Sequence, residues 1–132
     1  MRKVILDTNV FLSGILFGGN PEKLLKLWLE KRFILCFSPI LKAEIIQKLE
    51  LKFEFAKYSI KTISQTIDMF SKKYIPKKKV KICKYPKGNF LLELAQESHA
   101  NYLVSGDKTV LELKEYKGTK ILSPKEFMGI IK

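Results

Sequence analysis

Two aspartates stand where predicted strands end and helices begin. Asp7 directly follows the apolar run Val4–Leu6, and Asp107 follows the apolar run Tyr102–Val104 by way of a serine and a glycine. Ligands of open α/β sheets bind at the edge formed by the carboxyl ends of parallel strands. Each aspartate could instead cap the helix that follows it. Because the chain contains only three aspartates, finding two of them at equivalent points favours a shared site over two independent caps.

A third carboxylate, Glu44, lies in the helix predicted after Ser38 and Pro39. It borders the apolar face of that helix, so it can lean over the edge of the sheet. The alternative is an ordinary surface pair with Lys48 one turn later, an interaction on the order of a few tenths of a kcal/mol. Three carboxylates at one edge suit Mg²⁺, which binds one or two carboxylates, keeps several waters and activates a water for attack on a phosphate.

The elements that must position these acids are short, largely apolar runs separated by helical patterns. Such runs without alternation suit strands buried on both faces of a parallel sheet. The predicted strands are Lys3–Leu6, Phe33–Phe37, Val80–Ile82, Tyr102–Val104 and Lys120–Leu122. Three helices carry a start signal, a capping side chain before a proline, at Asn20-Pro21, Ser38-Pro39 and Ser123-Pro124. We expect one α/β domain over residues 1–132, with about five mainly parallel strands covered by helices.

The chain is strongly basic, with 25 Lys and Arg against 13 Asp and Glu and a formal net charge of +12. A field of that sign favours polyanions such as RNA, DNA or an anionic membrane. The most basic segment, from Lys72 to Lys87, holds eight lysines and no acid. These lysines either form a solvated loop and edge strand or contact phosphates. In the second case the candidates for nucleic-acid contacts are Lys77, Lys78 and Lys79.

Composition and cysteine content exclude several other classes. With 46% hydrophobic residues the chain has the composition of a folded globular protein, not of a disordered one. The longest nearly apolar stretch, Val10 to Phe17, is far short of the roughly 18 residues that cross a bilayer, and we expect no signal peptide. Cys36 and Cys83 form no paired motif, so we expect free thiols and a cytoplasmic protein. The single histidine excludes a structural zinc site.

Taken together, these segments resemble PIN-domain proteins. The match rests on LDTNV around Asp7, on YLVSGDK around Asp107, on Glu44 and on the late segment from Ile121 to Phe127, and it covers essentially the whole chain. Within that family, the segments resemble the toxins of type II toxin–antitoxin systems. The resemblance implies a Rossmann-like α/β/α sandwich and Mg²⁺- or Mn²⁺-dependent endoribonuclease activity on single-stranded RNA. It also implies a homodimer and a cognate antitoxin partner.

The resemblance further implies roles for individual residues. The carboxylates that would hold Mg²⁺ or Mn²⁺ and carry the catalysis are Asp7, Glu44 and Asp107. The polar side chains that would support them are Thr8, Asn9 and Ser105. The expected cofactor is therefore a divalent cation with oxygen ligands.

One segment departs from the family pattern. Relatives commonly carry Asp-Pro-Lys-Asp-Asn-Phe before a helix, whereas this chain has Tyr85 and Gly88 at the two acidic positions and keeps Asn89. Gly88 has no side chain and Asn89 offers only a neutral oxygen as support, so a second metal ion would lack charge compensation. We therefore expect either a nuclease attenuated at Tyr85 and Gly88, or a non-catalytic degenerate PIN domain that binds RNA or an antitoxin.

Overall fold

A computed structural model of the chain describes residues 1–84 and 86–131. Its strands, numbered in chain order, are β1 Lys3–Leu6, β2 Ile34–Phe37, β3 Ser71–Lys73, β4 Tyr102–Val104, β5 Glu115–Tyr116 and β6 Thr119–Leu122. Its helices are α1 Thr8–Leu16, α2 Gly19–Leu29, α3 Pro39–Leu51, α4 Lys57–Phe70, α5 Pro86–Ser98, α6 Lys108–Leu111 and α7 Pro124–Ile131. The strands form one central sheet that is flanked by the helices.

The order of strands in the sheet is β3-β2-β1-β4-β6-β5. Every neighbouring pair is parallel except the hairpin of β5 and β6. The chain builds outward from β1 to β3 and then returns to place β4 on the other side of β1. This reversal creates a topological switch point between β1 and β4, where ligands of open α/β sheets bind.

The core is built on the two central strands. Val4–Leu6 of β1 and Leu103 of β4 are completely buried, as expected for parallel strands with helices on both faces. Phe11 of α1 packs against Trp28 of α2 and against Phe37 of β2, with ring centroids 5.7 Å apart in each pair. Aromatic contacts of this kind anchor α1 on the sheet and so fix the direction in which the chain leaves β1.

Two of the three predicted helix starts are confirmed. Ser38 Oγ accepts a hydrogen bond from Leu41 N–H at 3.2 Å, and Ser123 Oγ accepts one from Glu126 N–H at 3.2 Å. Each serine thus satisfies a backbone donor that the first turn of its helix leaves without a partner. The third helix begins at Gly19, one residue before the predicted cap, so its proline lies inside the first turn.

One predicted strand is wrong. The structure places Val80 to Ile82 in a loop, where Val80 N–H donates to Glu93 Oε2 and Ile82 N–H donates to Asn89 Oδ1, both at 3.1 Å. Side chains of α5 therefore take the backbone donors that strand pairing would have used. The edge strand is instead β3, which pairs with β2, and the β5–β6 hairpin closes the other edge. Over residues 1–84 and 86–131 the sheet has six strands, one more than predicted.

The described helices and cysteines bear on the expectations of no membrane-spanning helix and of free thiols. In the part of the chain that is described, no helix is both long and apolar enough to pass through a lipid bilayer. Cys36 and Cys83 are free cysteines, the first buried and the second partly buried. The predicted free thiols are therefore confirmed.

Candidate active site

The carboxyl ends of β1 and β4 lie side by side at the switch point of the sheet. Leu6 pairs with Val104 in the parallel ladder, and Asp7 N–H donates to Val104 O at 2.9 Å. On the other side of β4, Ser105 N–H donates to Leu122 O of β6 at 3.0 Å. Ladder hydrogen bonds therefore hold the first residue after each strand in the crevice where such sheets bind ligands.

Asp7 is a buried carboxylate, with only 2% of its surface exposed, and the neighbouring Thr8 is buried as well. Asp7 Oδ2 accepts a hydrogen bond from Ser105 Oγ at 2.7 Å. Asp7 Oδ1 is also buried, but none of the described residues donates a hydrogen bond to it, and the side chain does not cap α1. A buried carboxylate oxygen is costly unless a donor or a cation reaches it, so Asp7 is available to bind positive charge.

Glu44 of α3 contributes a second oxygen of this kind. Glu44 Oε1 is buried and, within residues 1–84 and 86–131, it lacks a hydrogen-bond donor. The ammonium of Lys87, from the first turn of α5, lies between the two acids. Its Nζ is 3.7 Å from Asp7 Oδ1 and 3.5 Å from Glu44 Oε1. Both distances exceed the roughly 2.8 Å of a charge-assisted hydrogen bond, so one cation is shared electrostatically by two carboxylates.

Lys48 and Asn9 extend this polar cluster. Lys48 Nζ lies 3.8 Å from Glu44 Oε1 and 3.5 Å from Asn9 Oδ1. Burial lowers the pKa of Lys48 below its ordinary value, and repulsion by the charge of Lys87 lowers it further. The predicted surface pair of Glu44 with Lys48 therefore exists, but it is part of a larger cluster that includes Asp7.

Asp107 lies at the same edge, but its carboxylate is used differently. Asp107 Oδ1 accepts hydrogen bonds from Thr109 Oγ1 at 2.8 Å and from Thr109 N–H at 2.9 Å, which caps α6. These two bonds hold the pKa of the Asp107 carboxyl below its ordinary value, and the charge of Lys87 lowers it further. Asp107 N–H donates to Ser105 Oγ at 3.0 Å. Ser105 thus connects the backbone of Asp107 with the side chain of Asp7.

Two of the three predicted metal-site acids, Asp7 and Glu44, share the ammonium of Lys87. Over the described ranges, no group of three or more His, Cys, Asp and Glu side chains is close enough together to hold a metal ion. Asp7 and Glu44 nevertheless fit a divalent cation, because each has a buried oxygen that the described residues leave without a hydrogen bond. Magnesium is commonly bound through one or two carboxylates, with waters and substrate oxygens filling its other positions.

The segment that departs from the family pattern is closely packed. Gly88 is buried in the first turn of α5, and a Cβ added there would lie 2.8 Å from Cys83 Sγ and 3.0 Å from Cys83 Cβ. Asn89, predicted as a supporting side chain, accepts hydrogen bonds through Oδ1 from Cys83 N–H at 2.7 Å and from Ile82 N–H at 3.1 Å. Asn89 therefore fixes the loop before α5. Tyr85, the other departure, lies outside the described residues.

The three candidate nucleic-acid lysines are divided between two places. Lys77 and Lys78 line a cavity of about 310 Å³ beside the second half of α5, where Lys77 N–H donates to Glu97 Oε1 at 3.2 Å. Glu97 is ten residues beyond Lys87 on α5, which corresponds to about 15 Å along the helix axis. Lys79 instead lines a cavity of about 210 Å³ between the start of α3 and the first half of α5. Lys79 thus lies beside a different part of α5 from Lys77 and Lys78.

Lys87 is the residue of this cluster that sequence reasoning missed. In the sequence it is the last of eight lysines in a basic run, and its residue type does not separate it from the others. Its position carried the only signal. Lys87 follows Pro86, a residue suited to the first helical position, and precedes Gly88 at the family's acidic position. A side chain there lies in a first helical turn near the sheet edge.

Comparisons with known proteins agree with this architecture. A family model described as PIN domain matches residues 3–109. The uncharacterized protein MJ1680 of Methanocaldococcus jannaschii is 29% identical over 140 aligned residues, covering 96% of this chain and 89% of that protein. A solved structure, that of the PIN domain endonuclease Utp24, matches with a TM-score of 0.51 at 22% sequence identity, over 92% of this chain and 84% of that chain. The predicted α/β fold, with helices around a mainly parallel sheet, is confirmed.

Proposed function

Because the chain belongs to the PIN-domain family, we propose that it is a metal-dependent endoribonuclease whose divalent cation is bound by Asp7 and Glu44. PIN domains are generally nucleases and typically use divalent metal ions. The similar solved structure is that of a PIN domain endonuclease. These relatives suggest the class of reaction, and the side chains of this chain suggest where it would take place.

The observation that carries the proposal is the pair of buried oxygens, Asp7 Oδ1 and Glu44 Oε1, which lie within 3.7 Å of one ammonium. A point that attracts an ammonium between two carboxylates also attracts Mg²⁺ or Mn²⁺ with its waters. Such an ion, when bound, activates a water and offsets negative charge on a phosphate. Ser105 would keep Asp7 oriented through its 2.7 Å hydrogen bond, and Asp107 would add a third negative charge at the edge.

RNA is the proposed substrate because nuclease relatives of this family imply it and because the net charge is +12. A basic surface attracts phosphates at long range and raises the rate of encounter. A strand bound at the carboxyl edge of the sheet would pass Lys79. A strand that also contacts Lys77 and Lys78 would have to follow α5 away from the carboxylates.

The finer biological role that we propose is that of a toxin in a toxin–antitoxin pair, acting as a homodimer in the cytoplasm. The sequence resemblance supports the toxin role, and the two free cysteines suit a reducing compartment. Several large apolar side chains are more than three quarters exposed and would suit cover by an antitoxin or a second subunit. They include Phe17, Tyr58 and Met69.

The test is cleavage of single-stranded RNA by the purified chain, with millimolar Mn²⁺ and with EDTA in place of the metal. We expect cleavage only with the metal, and loss of cleavage in Asp7→Asn and Glu44→Gln, which keep side-chain shape but remove charge. Expression without the antitoxin should arrest growth in the parent and not in these variants. Equal cleavage in Mn²⁺ and EDTA would rule out metal dependence.

A second candidate is a non-catalytic PIN domain that binds RNA or an antitoxin, and one observation favours it. The space beside Gly88 is filled by Cys83, so a carboxylate is missing there and cannot be added without movement. Gly88→Asp should destabilise the chain by about 1–3 kcal/mol through overpacking, and Cys83→Ala should recover part of that loss. RNA cleavage that increases in the double variant supports an attenuated nuclease. If every variant folds and none cleaves RNA, the non-catalytic candidate is preferred. If the parent cleaves RNA as fast as the double variant, attenuation is wrong.

A further inference from the structure

We propose that Lys87 is a built-in counter-ion that occupies the divalent-cation position between Asp7 and Glu44 and competes with the metal for it. The inference rests on the proposed metal site and adds how loading of that site is controlled. Without metal, the ammonium offsets part of the negative charge of the two carboxylates. Binding of Mg²⁺ or Mn²⁺ then requires the Lys87 side chain to move away.

The geometry places the ammonium between both acids and not beside one of them. Lys87 Nζ is 3.7 Å from Asp7 Oδ1 and 3.5 Å from Glu44 Oε1, so neither contact dominates. These are the same two oxygens that would ligate the metal, since Asp7 Oδ2 already accepts from Ser105. An ammonium and a metal ion cannot occupy one point, so their binding is mutually exclusive.

The ammonium is also held loosely enough to exchange. Its two contacts are longer than the roughly 2.7–2.9 Å of a strong ammonium–carboxylate hydrogen bond. The Lys87 side chain is 32% exposed and has a flexible four-carbon stem, so it can extend into solvent. Lys48, 3.8 Å from the same Glu44 oxygen, repels Lys87. When the Lys87 side chain moves away, Lys48 still provides one positive charge near Glu44.

The charge balance of the cluster opposes metal binding while Lys87 is present. Asp7 and Glu44 carry two negative charges, and Lys87 and Lys48 carry two positive ones, so the four groups are neutral together. A divalent ion that enters a neutral group is repelled by the ammoniums as well as attracted by the carboxylates. Removal of the Lys87 charge leaves the group negative and should tighten metal binding.

The surroundings explain why Lys87 pairs with these two acids. The adjacent Gly88 brings no side chain, and the space beside it is filled by Cys83. Asp107 Oδ1 is already used by the amide and hydroxyl of Thr109. In the described structure, the carboxylates that contact Lys87 are those of Asp7 and Glu44.

The test is calorimetric titration of Mn²⁺ into the metal-free chain and into Lys87→Met, which keeps the length of the stem and removes the charge. We expect Lys87→Met to bind Mn²⁺ at least about tenfold more tightly, the equivalent of 1.4 kcal/mol or more. Lys87→Arg, which keeps the charge, should stay near the parent. The matched control is Lys125→Met, because Lys125 is exposed and follows Pro124 at the start of α7 just as Lys87 follows Pro86.

The outcomes separate this inference from the proposed function. If the parent binds Mn²⁺ and Lys87→Met binds it equally or more weakly, the metal site stands and competition by Lys87 is wrong. If neither protein binds Mn²⁺ at millimolar concentration, the metal site and the competition both fall. Asp7→Asn should remove binding in either background.

A second measurement uses the unaltered protein, in case Lys87→Met does not fold. Lysines are reductively methylated with and without Mn²⁺, and the rate at each site is followed by peptide mass spectrometry. Displacement by the metal should make Lys87 react faster, while Lys125 should react at the same rate. A Lys87 rate that falls or stays constant when Mn²⁺ binds would overturn the inference.

Discussion

Asp7 and Asp107 follow neighbouring strands of one sheet and look alike in the sequence, yet their carboxylates are used in different ways. Asp7 is buried, makes no cap within the described chain, and has one oxygen bonded to Ser105 and the other facing Lys87. Asp107 is exposed, and one of its oxygens accepts both the amide and the hydroxyl of Thr109. Asp7 therefore faces a cation with its second oxygen, whereas Asp107 caps a helix with one oxygen and its side chain is exposed.

The difference arises from the residue two positions after each aspartate. After Asp107, Thr109 presents a hydroxyl and an amide within the first turn of α6, so the carboxylate is satisfied locally. After Asp7, the corresponding residue is Asn9, whose Oδ1 faces Lys48 at 3.5 Å. A strand end brings an acid to the ligand-binding edge, but neighbouring donors decide whether its oxygens are available.

The largest effect is expected for Asp7→Asn, which keeps the side-chain shape and removes the charge that attracts the cation. RNA cleavage should fall by about 100-fold or more, as when a group that stabilises the transition state is removed. Mn²⁺ should raise the melting temperature of the parent by binding to the folded chain, and this rise should disappear in Asp7→Asn. Asp107→Asn should reduce cleavage by less than about tenfold. Equal losses in the two variants would mean that both acids ligate the metal.

A smaller effect is expected for Ser105→Ala, because Ser105 joins the two acids. Its hydroxyl donates to Asp7 Oδ2 at 2.7 Å, and loss of a buried hydrogen bond to a charged group costs about 1.5–3 kcal/mol. The free energy of unfolding, measured in urea, should fall by that amount. Ser123→Ala removes an exposed helix cap and should cost only about 1 kcal/mol. If the two serine variants lose the same stability, Asp7 does not depend on Ser105.

The features that sequence predicts correctly here are those decided by nearby residues. Apolar runs locate β1 and β4, the acids that follow them reach the sheet edge, and Ser38 and Ser123 cap their helices. Each of these depends on a few consecutive side chains and on the fixed geometry of a strand end or a first helical turn.

The features that sequence does not predict depend on contacts between distant segments. Val80 to Ile82 has the composition of a strand, but α5 captures its amides through Glu93 and Asn89. In the sequence, Lys87 cannot be distinguished from the neighbouring lysines. Its contact with Glu44 arises only because α5 packs beside α3. The close packing of Cys83 against Gly88 likewise cannot be predicted from the sequence.

A modest effect on stability is expected at Asp107 and depends on the replacement. Asp107→Ala removes the cap of α6 and should lower the free energy of unfolding by about 1 kcal/mol. Asp107→Asn keeps a capping oxygen and should change it by less than about 0.5 kcal/mol, because Asn and Asp cap almost equally well. Urea denaturation of the two variants at neutral pH gives the comparison. If Asn is as harmful as Ala, the charge matters more than the cap, and Asp107 resembles Asp7 more closely than the structure indicates.

The smallest effect is the pH dependence that Asp107 contributes. The Thr109 hydroxyl and amide hold the pKa of the Asp107 carboxyl below its ordinary value of 3.8. A carboxyl whose pKa is lower in the folded chain stabilises it above the ordinary pKa and loses that contribution as the pH falls through the folded value. The melting temperature of the parent should therefore exceed that of Asp107→Asn slightly at neutral pH, and the difference should begin to shrink below about pH 4 and vanish only once the pH is below the folded pKa. Thr109→Val removes the hydroxyl donor and should reduce this difference when Asp107→Asn is made in that background. A difference that does not change with pH would mean that Thr109 does not bind the carboxylate in solution, and the contrast with Asp7 would be lost.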